Sequence, residues 1–239
     1  MRVEDQPAYV LHARPWRETS LIVETLTRDH GRVAVVGRGL AGPRRHAQRA
    51  ALQPLQSVRL DYLPRGELAR LVSVEAVDAA PVLAGDALLG AFYVNELLLR
   101  LCPRHEPQPR LHALYGPLRQ ALSGPDPLAW TLRRFERDLL DALGVGLAWD
   151  RDDAGEPLDP EADYRLDPEH GPVLDPRAGR DSAPGAAWLA LAADAQPAPA
   201  LLAALRPALR GVLAAHLGPV GLRSWGLMGD LARVRAGEG

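Results

Sequence analysis

Ser20-Leu21-Ile22-Val23-Glu24-Thr25-Leu26 and, one short turn later, Arg32-Val33-Ala34-Val35-Val36 are apolar, β-branched runs of the length that a half-buried strand requires. Runs of the same kind lie on either side, at Ala8–His12, Ser57–Tyr62 and Leu68–Val77, separated by turns rich in Arg, Pro and Gly. Five strands in about 75 residues predict a small closed β-barrel of OB size, although spacing alone leaves another small barrel open. From Gly85 onward the period becomes helical. Asp86 is placed to cap a helix that carries Leu88, Phe92, Leu98 and Leu99 and stops at Cys102-Pro103. A second helix is expected with Asp126 as N-cap, Pro127 at its first position and Leu128, Leu132, Phe135, Leu139 and Leu143 as its buried stripe. Arg133, Arg134, Arg137 and Asp141 fall opposite that stripe. The fold class read from this pattern is α+β: an OB-type barrel over residues 1–80, then a mainly helical domain over residues 81–239.

Residues 150–184 hold six Pro, many acids and almost no apolar periodicity, and are expected to be an insert or linker and not a packed layer. The helical pattern returns with Leu201, Leu202, Leu205, Leu209, Val212, Leu213 and Leu217, where Pro207 should kink the helix or start a new one.

A formal charge of −2 conceals an uneven distribution: residues 1–80 carry 12 Arg against 9 acids, and residues 150–181 carry 11 acids against 4 Arg. A basic end suggests a polyanionic partner. All 28 basic residues are Arg, whose planar fork suits phosphate contacts and stacking. The one cysteine, Cys102, excludes an internal disulfide and any zinc site built on two thiolates, as expected in a reducing cytoplasm. No apolar run approaches the roughly 20 residues of a membrane span, and Met1–Gln6 does not read as a signal sequence. A soluble, intracellular protein with no membrane partner is expected.

Gly37-Arg38-Gly39-Leu40-Ala41-Gly42, after an apolar strand and ahead of Asp61, imitates a dinucleotide-binding fingerprint. The helix that must follow it has no apolar face in Pro43-Arg44-Arg45-His46-Ala47-Gln48-Arg49, so an arginine-rich loop between barrel strands is the stronger reading. Arg38, Arg44, Arg45 and Arg49, with Arg28 and Arg32 just before, would follow a phosphate backbone. Trp16, between Arg14 and Arg17, is the candidate for base stacking. A solvated surface loop and a Trp16 that fills a barrel end are the bland alternatives. Cys102, His105 and His112 offer only three ligands between prolines, and Asp150–Glu161 imitates a calcium loop but has Ala154 at the fifth position and Pro157 at the eighth. No metal and no cofactor are expected. No nucleophile elbow, catalytic triad or Walker loop is present to suggest catalysis.

Ala8–Leu21, with Arg14, Trp16, Glu18, Thr19 and Ser20, resembles the opening of the RecO family. So, in the same order, do Thr27–Val33, Leu52-Gln53-Pro54, Arg65-Gly66-Glu67-Leu68, Tyr93–Leu98, Leu132–Glu136, His216–Gly218 and Leu222-Arg223-Ser224. The resemblance implies an OB barrel and a helical domain that bind single- and double-stranded DNA and anneal strands. It also implies partnership with RecR and single-stranded-DNA-binding protein, helping to load RecA, in the cytoplasm at the nucleoid. The four-cysteine zinc site of some members has no counterpart here, and Trp225-Gly226 replaces the family's Arg-Glu. The DNA contacts expected are Arg14, Trp16, Arg17, Arg32, Arg38, Arg44, Arg45 and Arg49. For the acidic tail of single-stranded-DNA-binding protein, Leu97 and Leu98 are the expected apolar floor and Arg133, Arg134 and Arg137 the basic rim; a solvated helix face with an Arg134–Asp138 pair is the alternative. An adaptor with weak DNA contact and, less favoured, a dinucleotide-dependent enzyme are the other readings.

Overall fold

Strands β1 (Val3–Trp16), β2 (Ser20–Thr27), β3 (Gly31–Gly37), β4 (Ser57–Leu63) and β5 (Leu68–Ala76) form a closed barrel in the order β1-β2-β3-β5-β4. This computed structural model describes residues 1–40, 45–145 and 147–227. The barrel closes where β3 runs parallel to β5, with Ala34, Val35 and Val36 beside Leu68, Ala69 and Arg70. Strand alternation sends Val10, Val23, Val33, Val35, Val58, Leu60 and Ala69 into one core. The short helix α1 (His46–Ala51) lies between β3 and β4. The order and the intervening helix bear out the OB-type barrel and the α+β class.

Two helices belong with the barrel: α2 (Gly85–Leu101) and α3 (Pro109–Ala121), in a first compact unit spanning Met1–Ser123. The expected boundary near residue 80 separates barrel from helices but does not separate compact units. Polar side chains explain the attachment. Buried Asn95 of α2 donates to the Leu11 carbonyl (2.8 Å) and accepts from the Tyr115 hydroxyl of α3 (2.6 Å). Buried Arg119 donates to the Leu55 carbonyl (2.9 Å), pairs with Asp78 and lies over the Tyr9 ring. Asp86 lies in the first turn of α2 and not at its cap, which is Ala84. Helix α3 escaped the sequence pattern because prolines flank and interrupt it.

The second unit begins at Gly124 and contains α4 (Leu128–Ala142), β6 (Asp163–Asp167), β7 (Gly171–Leu174), β8 (Ser182–Pro184), α5 (Gly185–Ala192) and α6 (Pro199–Leu217). The expected linker is instead a three-stranded antiparallel sheet, β7-β6-β8. Tyr164, Leu166 and Ala183 are buried, and the Trp188 indole donates to the Tyr164 and Ala183 carbonyls. Its aspartates act locally: Asp152, Asp159, Asp167 and Asp175 each accept backbone amides a few residues ahead and form turns. The carboxylate that imitates a calcium ligand, Asp152, is thereby engaged by the Ala154 and Glu156 amides.

Helix α4 starts at Leu128 with Pro127 as its cap and no side-chain cap from Asp126. Its burial extends around to Trp130, Arg133, Glu136 and Leu140 because α5 and α6 pack on it. Helix α6 is continuous through Pro207. It is long and apolar enough to cross a membrane by length and composition, contrary to expectation. Its apolar side, from Leu202 to Leu217, is core, and Arg206 and Arg210 are on the exposed side.

Two outcomes follow. Asn95→Leu strands the Leu11 carbonyl and the Tyr115 hydroxyl and should destabilise the first unit by roughly 2–5 kcal/mol, read from urea denaturation. The His112 ring lies tilted against that of Tyr9, with centroids 4.8 Å apart, and burial lowers its pKa to about 4. A depressed histidine leaves the unfolded chain the better proton acceptor, so its contribution is whole above about 6.5 and is lost as pH falls toward 4. In His112→Phe the fall in denaturation midpoint across that window should be smaller.

Candidate nucleic-acid interface

Barrel closure assembles a groove from four separate stretches of chain. The β1–β2 turn supplies Trp16, Arg17 and Thr19, and the end of β3 supplies Val36 and Arg38. The β4–β5 turn supplies Arg65, and the start of β5 supplies Leu68 and Arg70. Parallel pairing sets Arg70 directly beside Val36 and turns both side chains outward, since their neighbours Val35 and Ala69 face the core. In OB folds the loops between strands 1 and 2 and between strands 4 and 5 are the pair that hold oligonucleotides.

The cavity measures about 410 Å³, within the size range of ligand clefts. Its walls differ from those of a small-molecule site: among the described residues Arg17, Arg38, Arg65 and Arg70 line it, no carboxylate does, and its aromatic group is Trp16. The Trp16 side chain is open to solvent, 37% exposed, and the guanidinium carbons of Arg14 and Arg17 each lie 5.8 Å from the indole centroid. Such contacts hold the ring and the two cations in place. Arg17 has φ +54, a left-handed backbone that costs an ordinary residue about 1 kcal/mol. The loop bearing Arg38 is tied down by Leu40, whose amide donates to the Thr19 carbonyl (2.8 Å) and whose side chain is core. Gly39, at φ +67, makes the intervening turn.

The expected contacts divide accordingly. Trp16, Arg17 and Arg38 come together, with exposed Arg14 on the indole. Arg32 does not join them: its guanidinium donates to the Cys102 carbonyl (3.0 Å) and pairs with Glu24 (3.2 Å), fastening β3 to the end of α2. Arg45 caps α1 and bonds Gln48, and Arg49 is exposed on α1; neither lines the groove. Arg44 lies outside the described residues. Arg65 and Arg70 were missed as contacts because their nearness to Arg38 depends on a parallel pairing across more than 30 residues. Arg65 lies in Arg65-Gly66-Glu67-Leu68, a stretch that resembles the RecO family, and that is the signal the sequence offers.

The imitation dinucleotide site dissolves. Gly37 ends a barrel strand antiparallel to β2, and the Asp61 carboxylate is occupied by Arg2 (2.5 Å), the Asp5 amide (2.8 Å) and Ser73 (2.8 Å). Among the described residues no group of three or more His, Cys, Asp or Glu is placed to hold a metal ion.

The presumed tail rim also looks different. Leu97 and Leu98 are fully buried inside the first unit and offer no open floor. In the second unit Arg133 is buried against Glu136, and Arg134 pairs with Asp194 (2.7 Å), not Asp138. Arg137 pairs with Asp138 (2.7 Å) and Asp194 (3.1 Å) and donates to the Leu191 carbonyl. These guanidinia serve internal carboxylates because α5 ends beside α4, which the pattern of α4 alone could not reveal.

Family profiles described as Recombination protein O N terminal and Recombination protein O C terminal match residues 1–80 and 83–226. The chain belongs to the RecO family. A protein of Xanthomonas euvesicatoria pv. vesicatoria named DNA repair protein RecO is 51% identical over 240 residues, covering 98% of this chain and 100% of that one. One of the same name from Stenotrophomonas maltophilia is 52% identical over 239 residues, with the same coverage. RecO membership places the chain among DNA repair and recombination proteins and confirms the resemblance read from the sequence.

If Trp16 is the stacking platform of this RecO barrel, Trp16→Ala should weaken single-strand binding by about 1–3 kcal/mol for each base stacked. Trp16→Phe should retain most of the affinity, both read by fluorescence anisotropy with a labelled oligonucleotide.

Proposed function

We propose that the chain is a non-enzymatic recombination mediator of DNA repair that holds single strands in the barrel groove. The observation that carries the reading is the convergence of Arg17, Arg38, Arg65 and Arg70 around exposed Trp16, with no carboxylate in the lining. Four guanidinia neutralise phosphates without reading sequence, and the indole accepts any base, so the groove suits a generic strand. Neutralised strands repel one another less, which favours annealing. A nucleophile–base pair is not part of this arrangement, and chemistry on the strand is not needed for it.

By family resemblance, the same chain works in the cytoplasm at the nucleoid, on single- and double-stranded DNA, with RecR and single-stranded-DNA-binding protein. Through them it helps load RecA. Of the basic residues proposed for the acidic tail, Arg134 is the most open, with its side chain 40% exposed, and a docked peptide would displace its pairing with Asp194.

The test is anisotropy titration of a labelled single strand over a range of salt. Changing Arg17, Arg38, Arg65 and Arg70 to Ala should lower affinity at least tenfold. It should also flatten the plot of log affinity against log salt by about 3, at roughly 0.7 per phosphate contact on a single strand. Unchanged binding by this variant would move the DNA site off the groove. No binding by the native protein at low salt would leave an adaptor that recruits proteins as the better reading.

A further inference from the structure

The second unit carries a basic surface that the barrel groove does not explain. From Ala195 to Leu227 the chain has no Asp or Glu, although residues 150–181 are strongly acidic. Arg206 and Arg210 lie one turn apart on the exposed side of α6, about 6 Å along the axis. Neither forms an ion pair among the described residues. The Arg210 guanidinium lies 4.5 Å from the Trp225 ring centroid, closer than either arginine on Trp16. Trp225 is half-buried in the helical turn at 223–227, and its ring is backed by Gly221, where an added Cβ would come within 3.5 Å. The indole holds Arg210 in place by a cation–π contact on the exposed side of the helix.

We infer that Arg206 and Arg210, with Arg210 held by Trp225, form a second phosphate-contact surface for a single nucleic-acid strand, on a different unit from the barrel groove. The inference rests on the DNA-binding reading above. A strand is favoured over an acidic peptide because an exposed helix side with two cations at successive turns suits a repeating phosphodiester backbone, whereas a peptide draws its affinity from an anchor in a closed pocket. A second surface on one chain would let a single molecule hold two strands together.

The test uses the full chain and the same labelled oligonucleotide. Arg206→Ala with Arg210→Ala should reduce the salt slope by about 1.4, two contacts at roughly 0.7 each. The four-arginine groove variant should retain weak, salt-sensitive binding that disappears when these two changes are added. Trp225→Leu should mimic loss of Arg210, and Trp225→Phe should largely restore it, with thermal unfolding checking that each variant is folded. Annealing of two labelled complementary strands should slow in the Arg206/Arg210 variant. Unchanged affinity, slope and annealing in that variant, while the groove variant loses binding, would overturn this inference and leave the barrel reading intact. A native protein that binds no strand would overturn both.

Discussion

The parallel pairing of β3 with β5 is the constraint on which the first unit and its candidate site depend. Without it the five strands are an open sheet with two unpaired edges, and a row of unsatisfied backbone groups would face solvent. With it, Val35 and Ala69 enter the same core while Val36 and Arg70 emerge side by side. One register thus completes the interior and builds a wall of the groove. A slip of one residue would turn Arg70 into the core and Ala69 outward, so the buried surface enforces the placement of the arginine.

Closure alone does not aim the loops. Leu40 anchors the stretch after β3 through its buried side chain and its bond to Thr19, coupling the Arg38 loop to the turn that carries Trp16 and Arg17. Below the barrel, Asn95 and Arg119 supply donors to the Leu11 and Leu55 carbonyls, near a shift in register on β1 where the strand ladder is interrupted. Helices α2 and α3 therefore satisfy backbone groups that the irregular strand leaves over, and they belong to the barrel's unit for that reason.

In the second unit, the same residue types have different work according to their neighbours. Acids in the segment around residues 150–180 accept local amides and shape the turns of a small sheet. Arginines of α4 meet Glu136, Asp138 and Asp194. Of the α6 arginines, in a stretch without acids, Arg210 lies over the Trp225 ring, and neither it nor Arg206 forms an ion pair among the described residues. Composition by itself therefore misleads about which charges are available: Arg133 is consumed within the fold and Arg206 is not.

The sequence by itself determined the barrel strands, the switch to helix near residue 85, the placing of Trp16 among arginines in one turn and membership of the RecO family. These are local or linear properties: alternation along a strand, a helical period and an ordered series of matches are all visible within short windows. Tertiary structure alone decided that Arg65 and Arg70 join Arg38, that Arg32 turns away to Glu24 and Cys102, and that Leu97 and Leu98 are interior. It also decided that an acidic, proline-rich stretch folds as a sheet around Trp188, because its few apolar residues are buried by α5 and α6, which follow it in the chain. The physical reason is common to all of these: whether a side chain is spent or available depends on partners brought across the chain by packing, and no short window contains them.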